Sequence, residues 1–321
     1  MNTNLPIIGL AALAMMSAGA AAQAEFPDRP IRIIVSNAPG DGPDVAARLL
    51  SDRLSGTLGQ PVIVENRTGA NGNIAGDYVA RSAADGHTLL LVTDSVMTVN
   101  PHVYGRMPFN PLKDFVAVTT ILQNQFALAV HPGVPASTLP EFVAHTRKAD
   151  PPLRYSSGGP GSPLQIGIEL LKQRAGISLA HVPYRGGGPA SQAAVAGDTQ
   201  VVLAGASAAG LIQSGRLRAL ATTAAKRSAL FPDLPPVADF YPGYDFTVWA
   251  GLFAPAGTPD RVVNRLRAES QNALADPGLA RKLNQVGPQP FILSAQEFDR
   301  LIRRDFARYG EIVKAIGLRI E

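Results

Sequence analysis

The sequence predicts a two-lobed α/β fold with a mixed, largely parallel sheet in each lobe, and three observations predict it. Strand-like segments alternate with amphipathic helical segments, which is typical of sheets covered by helices on both faces. The same strand–loop–helix chemistry occurs three times along the chain. Two further strand-like segments, 126–131 and 247–253, each lead into a proline-containing loop. If both segments cross between lobes, they form a hinge beside a cleft.

Residues 1–24 are expected to be a secretory signal peptide. Residues 5–22 are apolar and uncharged, and Ala22-Gln23-Ala24 matches a small-residue cleavage site. An uncleaved membrane anchor is the alternative, which Pro6 and Gly9 weaken. The absence of cysteine excludes a lipid anchor on cysteine, disulfides and thiolate chemistry. The mature protein is therefore predicted to be exported and soluble.

The first strand–loop–helix junction spans residues 31–50, where an apolar strand passes through a Gly/Pro/Asn/Asp loop into a helix. Gly40 and Gly42 permit positive φ and close backbone approach, and Pro43 suits a first helical position because its missing N–H would have no partner there. The free N–H groups at the helix start favour an anion. For this junction alone, a tight turn without a ligand is the alternative.

The same chemistry occurs again in residues 155–171 and 181–196. In the second junction, Ser162 can cap the amides of the following helix, and in the third, Gly188-Pro189 opens the helix. Ligands of open α/β sheets bind beyond the carboxyl ends of the strands. The three junctions therefore predict a ligand cleft lined by helix N-termini from two sides.

The other elements are read from hydrophobic periodicity and from their end signals. Thr258-Pro259 begins a late helix, and Ser294 with Glu297 forms a capping box for the last one. The predicted strands are 31–35, 62–65, 88–92, 126–131, 153–155, 201–203, 217–222 and 247–253. The predicted helices are 43–58, 74–83, 139–149, 163–175, 189–196, 259–275 and 296–316.

The mature chain is long enough for two domains. With crossings at the two strand-like segments, lobe I comprises residues 25–123 and 251–321, lobe II comprises residues 124–250, and the ligand cleft lies between them. The formal net charge is only +4, and basic residues do not cluster with aromatic ones as they do on nucleic-acid surfaces. We therefore expect a small-molecule ligand and no nucleic acid.

Enzyme classes find little support in the sequence. Residues 205–209 approach the Gly-x-Ser-x-Gly elbow of α/β hydrolases, but the second glycine is Ala209 and the five histidines all precede Ser207. No histidine pair has metal-ligand spacing, and residues 40–45 lack the third glycine of a dinucleotide fingerprint. Paired carboxylates for acid–base catalysis stay open. We expect a protein without catalytic activity, cofactor or metal.

Several stretches carry a family resemblance that covers essentially the whole mature chain, in order as well as content. They are RPIRIIVSNAPGDGPDVAARLLSDRLSGTLGQPVIVENRTGANGN, ADGHTLLLVT, NPHVYGRMPFNPLKDF, VPYRGGGPA, GRLRALATTAAKRS and GLFAPAGTP. The sequence is similar to the Bug-type (TctC-like) periplasmic substrate-binding proteins of tripartite tricarboxylate transporters. The resemblance implies a type II periplasmic-binding-protein fold, a Venus flytrap that closes on a small carboxylate.

The resemblance also implies partners and location. The ligand is expected to be a di- or tricarboxylate, an aromatic acid or an acidic amino acid, delivered in the periplasm to a large and a small membrane subunit. A sensor protein in place of the transporter is the alternative partner, and an exported enzyme is a further alternative. A monomer is the expected state for this shape.

The resemblance indicates ligand-binding residues in both lobes. In the family, the loop matching residues 36–44 and the segment matching 66–73 face the ligand carboxylate, partly through ordered water. Asp94 and Ser95 are added because they follow a strand end. The expected ligand-binding residues are Ser36, Asn37, Gly40, Asp41, Gly42, Asp44, Asn66, Asn73, Asp94, Ser95, Ser156, Ser157, Gly161, Ser162, Gln165 and Arg185.

Departures from the family pattern fall within this set. Ser36 stands where proline is common, Asn37 where an aromatic is usual, Asp41 where glycine is common and Gln165 where histidine is frequent. These differences are expected to change ligand choice more than fold. The carboxylate of Asp41 would repel an anionic ligand unless it turns away or meets an ammonium group.

Five of the side chains considered for the site have a structural alternative. Asp94 and Ser95 either close the floor of the cleft or belong to a plain turn. Arg185 is either a bidentate carboxylate clamp or a surface arginine of a Gly-rich loop. Asp44 either contacts the ligand or satisfies helix amides. Trp249 is either an aromatic wall of the site or part of the core.

Overall fold

The computed structural model describes residues 26–228 and 230–320, so the predicted signal peptide lies outside the described residues. The strands are β1 (Ile31–Val35), β2 (Val62–Asn66), β3 (Thr88–Thr93), β4 (Phe115–Asn124), β5 (Ala127–Val130), β6 (Arg154–Ser157), β7 (Ala180–Pro183), β8 (Val201–Ala204), β9 (Arg218–Thr222), β10 (Val248–Pro255) and β11 (Gln289–Pro290). The helices are α1 (Gly42–Leu58), α2 (Asn73–Ala80), α3 (Asp94–Thr98), α4 (Asn100–Val103), α5 (Leu139–Thr146), α6 (Pro163–Ala175), α7 (Gly187–Ala196), α8 (Ala209–Gln213), α9 (Asp260–Leu274), α10 (Pro277–Val286) and α11 (Ala295–Ile316).

The strands form two sheets, which gives the two-lobed α/β fold that the sequence predicts. The order is β11-β4-β10-β3-β1-β2 in the sheet of lobe I and β7-β6-β8-β5-β9 in the sheet of lobe II. Parallel pairing joins β1 to β2 and β3, and β6 to β7 and β8. The remaining strand pairs are antiparallel. Both sheets are therefore mixed as predicted, but they are not largely parallel, because only two of the five described strand pairs in lobe I and two of the four in lobe II are parallel. The predicted loop–helix junctions follow strands of the parallel parts.

The central strands are buried on both faces because their side chains alternate between two cores. In β1, Ile33 and Val35 pack with Leu50 of α1, whereas Ile34 packs with Val79 of α2. Complete burial of one such side chain contributes roughly 2 kcal/mol. These contacts hold the start of α1 directly beyond the end of β1. The same alternation occurs in lobe II, where the two faces of β8 join separate clusters.

The chain crosses between the lobes at two adjacent places. One crossing lies at Gln125 and Phe126, between β4 and β5, and the other follows β9 and leads into β10, whose Val248 pairs with Asn124. The two crossing segments are joined because the amide of Phe126 donates to Thr223 Oγ1 at 3.2 Å. The segment 126–131, which we expected to cross, lies within the sheet of lobe II as β5. The segment 247–253, which we also expected to cross, lies mostly within β10 in the sheet of lobe I, so the division at residues 124 and 250 stays a prediction.

The last helix packs on both lobes. The predicted capping box of Ser294 and Glu297 is confirmed at its start. Phe298 near that start joins a core cluster of lobe I, and Tyr309 near its end joins the main cluster of lobe II. Trp249 of β10 is 1% exposed and belongs to the core, which is the second of the two interpretations of this residue. Helix α11 is therefore a structural link between the lobes beside the two crossings.

Two features complete the fold. The ten residues of β4 pair with β10 along almost their whole length, and β4 is absent from the strands that we predicted. Within residues 26–228 and 230–320, no helix is both long and apolar enough to cross a membrane.

Candidate functional site

The loop between β1 and α1 is closed on itself by a buried carboxylate. Asp44 is only 2% exposed, and its Oδ2 accepts a hydrogen bond of 2.9 Å from the amide of Gly40. Arg48 donates to both carboxylate oxygens at 3.0 Å, and Asn66 Nδ2 donates to Oδ1 at 2.7 Å. Asp44 and Asn66 thus hold the loop, and their polar groups are engaged within the protein.

The ionisation of Asp44 follows from these contacts. Burial alone would raise the pKa of its carboxyl, but the hydrogen bonds from Arg48, Gly40 and Asn66 outweigh burial and hold the pKa below its ordinary value. The carboxylate therefore stays charged, and the exposed guanidinium of Arg48 balances its charge. Of the two roles expected for Asp44, satisfying helix amides is not what the structure shows, because the amide that it binds is that of Gly40 in the loop before α1.

The rest of this loop carries polar groups that are exposed or half-buried. Asp41 precedes α1 in an extended conformation, is exposed, and its side chain does not cap the helix. The first amides of α1 therefore lack a capping side chain. Ser36 and Asn37 are half-buried, and Ser36 Oγ donates to Asn37 Oδ1 at 3.1 Å. These side chains and the amides near Gly42 lie on one loop.

The segment that leads into α2 packs directly against the first loop. A methyl group placed on Gly72, whose φ is +92°, would lie 2.6 Å from Val96 Cγ2 and 3.1 Å from Ser36 Cβ. Only glycine fits this approach. Asn73 is 4% exposed, and its Oδ1 accepts a 2.7 Å hydrogen bond from Asn100 Nδ2. The loops after β1, β2 and β3 therefore meet at one edge of the sheet.

Asp94 and Ser95 lie beneath these loops and are 2% and 1% exposed. Burial and the nearby carboxylate of Asp305 raise the pKa of Asp94 well above its ordinary value, which favours the neutral acid. Asp305 in turn accepts a 3.0 Å hydrogen bond from Trp249 Nε1. The structure thus places Asp94 toward the contact between the lobes and α11, and it places Ser95 in the core.

In lobe II, the loop between β6 and α6 is built on the same plan. The predicted cap is confirmed, because Ser162 Oγ accepts from the amide of Gln165. The side chain of Gln165 reaches back, and its Oε1 accepts a 2.8 Å hydrogen bond from the amide of Gly161. Gly161 has a φ of +73°, which favours glycine.

One residue outside the predicted set, His181 of β7, joins the two ends of this loop. Its Nε2 lies 2.6 Å from Ser157 Oγ, and its Nδ1 lies 3.3 Å from Gln165 Nε2. The ring stacks on Tyr155 at 4.9 Å between centroids. Burial lowers the pKa of His181, which favours the neutral imidazole. The available signal was its place at the start of the third junction, on a strand beside β6.

The remaining predicted residues of lobe II fall on different faces. Ser156 is completely buried and its Oγ donates to the carbonyl of Ala190, so it supports α7 from the opposite face of β6. Arg185 is exposed in the loop before α7. Gly186, the residue before α7, has no side chain with which to cap the helix. A methyl group on Gly158 would lie 3.5 Å from Gly186 Cα, so the loops after β6 and β7 touch.

Close contacts bring the two sets of loops to one boundary between the lobes. A methyl group on Gly42 of lobe I would lie 2.9 Å from Pro288 Cγ, and one on the adjacent Gly287 would lie 2.3 Å from Cβ of Ala206 in lobe II. A methyl group on Gly161 would lie 3.7 Å from Val103 Cγ1. The start of α1 and the ends of the lobe II strands therefore face the same boundary between lobes.

Two further observations bear on chemistry. A cavity of about 460 Å³ lies beside the crossing segments, and its lining includes Gln125 and Thr247 but none of the predicted ligand-binding residues. In the described part of the chain, no group of three or more histidine, aspartate or glutamate side chains is placed to hold a metal ion.

Comparison with known proteins identifies the family. The family model described as tripartite tricarboxylate transporter family receptor matches residues 46–318. Protein BugT of Bordetella pertussis is 30% identical over 324 residues, which covers 100% of this chain and 99% of BugT. The resemblance inferred from the sequence is therefore confirmed.

Solved structures agree in fold. A protein of R. palustris with adipate has a TM-score of 0.79 and 30% identity, covering 92% of this chain and 100% of its own. MatC from Rhodopseudomonas palustris with bound malate has a TM-score of 0.74 and 28% identity, covering 90% of this chain and 100% of its own. The two-lobed periplasmic-binding-protein fold is thus shared with proteins that hold small carboxylates.

Proposed function

Because the chain belongs to the tripartite tricarboxylate transporter receptor family, we propose that it captures a small dicarboxylate in the periplasm and delivers it to the membrane subunits of such a transporter. The similar structures with adipate and malate support this ligand class, since both molecules carry two carboxylates. The family and the fold are those of binding proteins.

One observation carries the proposed site. Helix α1 of lobe I and helix α7 of lobe II both begin without a capping side chain. An uncapped helix start presents free N–H groups and a positive dipole end, which together bind a carboxylate. A ligand with two carboxylates would engage the start of α1 in lobe I with one of them and the start of α7 in lobe II with the other.

The side chains of the proposed site are those with polar groups near the starts of α1, α6 and α7. Ser36 and Asn37 lie in the α1 loop, Ser162 caps α6, and Arg185 precedes α7 as a candidate clamp. Asp41 is exposed, which fits a carboxylate turned away from an anionic ligand. Ser156, Asp94 and Ser95 are left out because their side chains are buried on other faces.

The proposed mechanism is closure of the lobes about the two crossing segments. In the open form each lobe engages one carboxylate, and closure adds contacts that exist only when both lobes hold the same ligand. The ligand thereby shifts the equilibrium toward the closed form, which the membrane subunits then recognise.

Ligand binding is tested by thermal unfolding of the exported chain against mono-, di- and tricarboxylates and acidic amino acids, with calorimetry on each hit. A dicarboxylate at a hundred times its Kd is expected to raise stability by about 2.7 kcal/mol. If only amino acids stabilise the protein, the ligand is an amino acid and Asp41 is expected to contact its ammonium group. If no compound stabilises folded, ligand-free protein, the proposal is overturned.

The α7 donors are tested by a matched pair at Gly188, where an added methyl group meets nothing within 4 Å. Gly188→Pro removes one N–H in the first turn, where proline is tolerated, and Gly188→Ala keeps it. If that amide binds a carboxylate, Gly188→Pro is expected to weaken binding roughly tenfold or more relative to Gly188→Ala. Equal affinities would remove this amide from the site.

A further inference from the structure

His181 of lobe II is not one of the ligand-binding residues expected from the sequence, but it contacts two of them. Its two ring nitrogens contact Ser157 at the end of β6 and Gln165 in the first turn of α6, at 2.6 Å and 3.3 Å. These two residues flank the glycine-rich loop that leads into α6. One imidazole therefore ties both ends of a loop that borders the proposed cleft.

The hydrogen-bond partners assign the proton on this ring. The amide of Gly161 donates to Gln165 Oε1, so the Gln165 nitrogen faces His181 Nδ1 and must donate to it. Nδ1 is then an acceptor, and Nε2 carries the proton and donates to Ser157 Oγ. The hydroxyl of Ser157 remains free to donate to the carbonyl of Gly159, at 3.2 Å. Every bond is satisfied by the neutral ring.

A second proton does not fit this arrangement. An N–H at Nδ1 would face the NH₂ of Gln165, and two donors repel. Rotation of the Gln165 amide would restore a bond to His181, but it would place NH₂ against the Gly161 amide, which also donates. The protonated ring therefore costs the Gln165 amide one of its two hydrogen bonds in either orientation, which weakens the tie between the loop and α6.

We propose that His181 is a positioning residue for ligand binding, which in its neutral Nε2–H form sets the loop between β6 and α6, and which lowers ligand affinity when it takes up a proton at Nδ1. The effect on affinity rests on the proposed function. The effect on the loop does not, because it follows from contacts within the protein.

The groups around the ring determine the direction in which the pKa of His181 is shifted. Burial lowers the pKa of His181, the carboxylate of Glu169 on α6 opposes that shift, and Lys172 on α6 reinforces it. Lys172 also pairs with Glu169 at 2.8 Å, and Tyr155 on β6 donates to the same carboxylate at 2.6 Å. The net direction keeps the ring neutral near pH 7, so its protonation requires mild acid.

The first experiment needs no ligand. Nitrogen NMR of ¹⁵N-histidine-labelled protein is expected to give the Nε2–H tautomer for His181 at about pH 8, with a titration midpoint below about 6.5. The amide signals of Gly159 and Gly161 are expected to move with the same midpoint. The opposite tautomer, or loop amides that do not follow the ring, would overturn the proposal whatever the ligand is.

The second experiment measures affinity for the strongest dicarboxylate of the panel by calorimetry, from about pH 8 to about pH 5. The variant is His181→Gln, and the control is His102→Gln, because His102 is a half-buried histidine whose Nε2 meets the carbonyl of Phe306, outside the loop. The ratio of wild-type to variant affinity cancels titration of the ligand itself.

The wild-type to His181→Gln affinity ratio is expected to fall about fivefold on acidification, which corresponds to one lost hydrogen bond. The ratio to His102→Gln is expected to stay flat. A wild-type affinity that rises in acid would mean that the imidazolium attracts the carboxylate, and it would overturn the positioning role. If no carboxylate binds, the proposed function fails, but the NMR experiment still decides whether His181 sets the loop between β6 and α6.

Discussion

The loops that precede α1 in lobe I and α6 in lobe II use one device with two kinds of chemistry. In each, a side chain in the first helical turn accepts a hydrogen bond from a glycine amide four residues earlier. The acceptor is the carboxylate of Asp44 for Gly40 in lobe I and the carboxamide of Gln165 for Gly161 in lobe II. Arg48 supports the first acceptor, and His181 supports the second.

The difference lies in charge. An ionised acceptor paired to a guanidinium makes stronger hydrogen bonds than a neutral amide, and it keeps its charge throughout the neutral pH range. The lobe II arrangement depends on an imidazole, whose charge changes in mild acid. Lobe I therefore holds its loop firmly at any physiological pH, whereas lobe II holds its loop conditionally.

The largest expected effect comes from Asp44→Ala. The substitution removes four hydrogen bonds, one from Gly40, one from Asn66 and two from Arg48, and it should reduce the free energy of unfolding by about 3 kcal/mol. Asp52→Ala on an exposed position of the same helix is the matched control. Chemical denaturation of both variants measures the difference. Equal stabilities would mean that the charged network does not hold the lobe I loop.

A smaller effect separates the two helix starts. Ser162 caps α6 with its side chain, whereas Asp41 does not cap α1. Ser162→Ala is expected to cost about 1 kcal/mol of stability, and Asp41→Ala less than about 0.5 kcal/mol. Thermal unfolding at neutral pH compares the two variants. A loss for Asp41→Ala as large as that for Ser162→Ala would show that both starts are capped alike.

Sequence alone predicts where these loops occur but not what holds them. Glycine and proline mark the junctions, because their backbone preferences are local. The supporting residues are distant in the chain, since His181 lies 24 positions from Ser157 and Asn66 lies 22 positions from Asp44. Both contacts depend on which strands lie side by side, and that pairing is set by the whole sheet.

The fold shows the same limit. The alternation of strands and helices and the two-lobed plan were predictable from periodicity. Strand β4 was missed, and its partner β10 follows more than a hundred residues later, so the pairing leaves no local pattern. The candidate side chains Ser156, Asp94 and Ser95 lie at strand ends as expected, yet their burial depends on which face each side chain takes.

The smallest expected effect is that Asp44 and His181 lose their contributions to the free energy of unfolding in different pH ranges. The folded pKa of Asp44 lies below its ordinary value of 3.8, so its contribution is complete above about pH 4 and is lost as pH falls through the folded pKa. The folded pKa of His181 lies below its ordinary value of 6.5. Between the folded pKa and 6.5 the unfolded state binds more protons, so this contribution is complete above 6.5 and declines as pH falls below it.

Thermal unfolding of wild type, Asp44→Asn and His181→Gln from about pH 8 to about pH 3 checks these windows. The gap between wild type and His181→Gln is expected to begin changing near pH 6.5, while the gap to Asp44→Asn stays constant until about pH 4. A change of both gaps in one window would mean that the loops are not held by separate titrating groups. Separate windows would instead establish that acid loosens lobe II before it reaches lobe I.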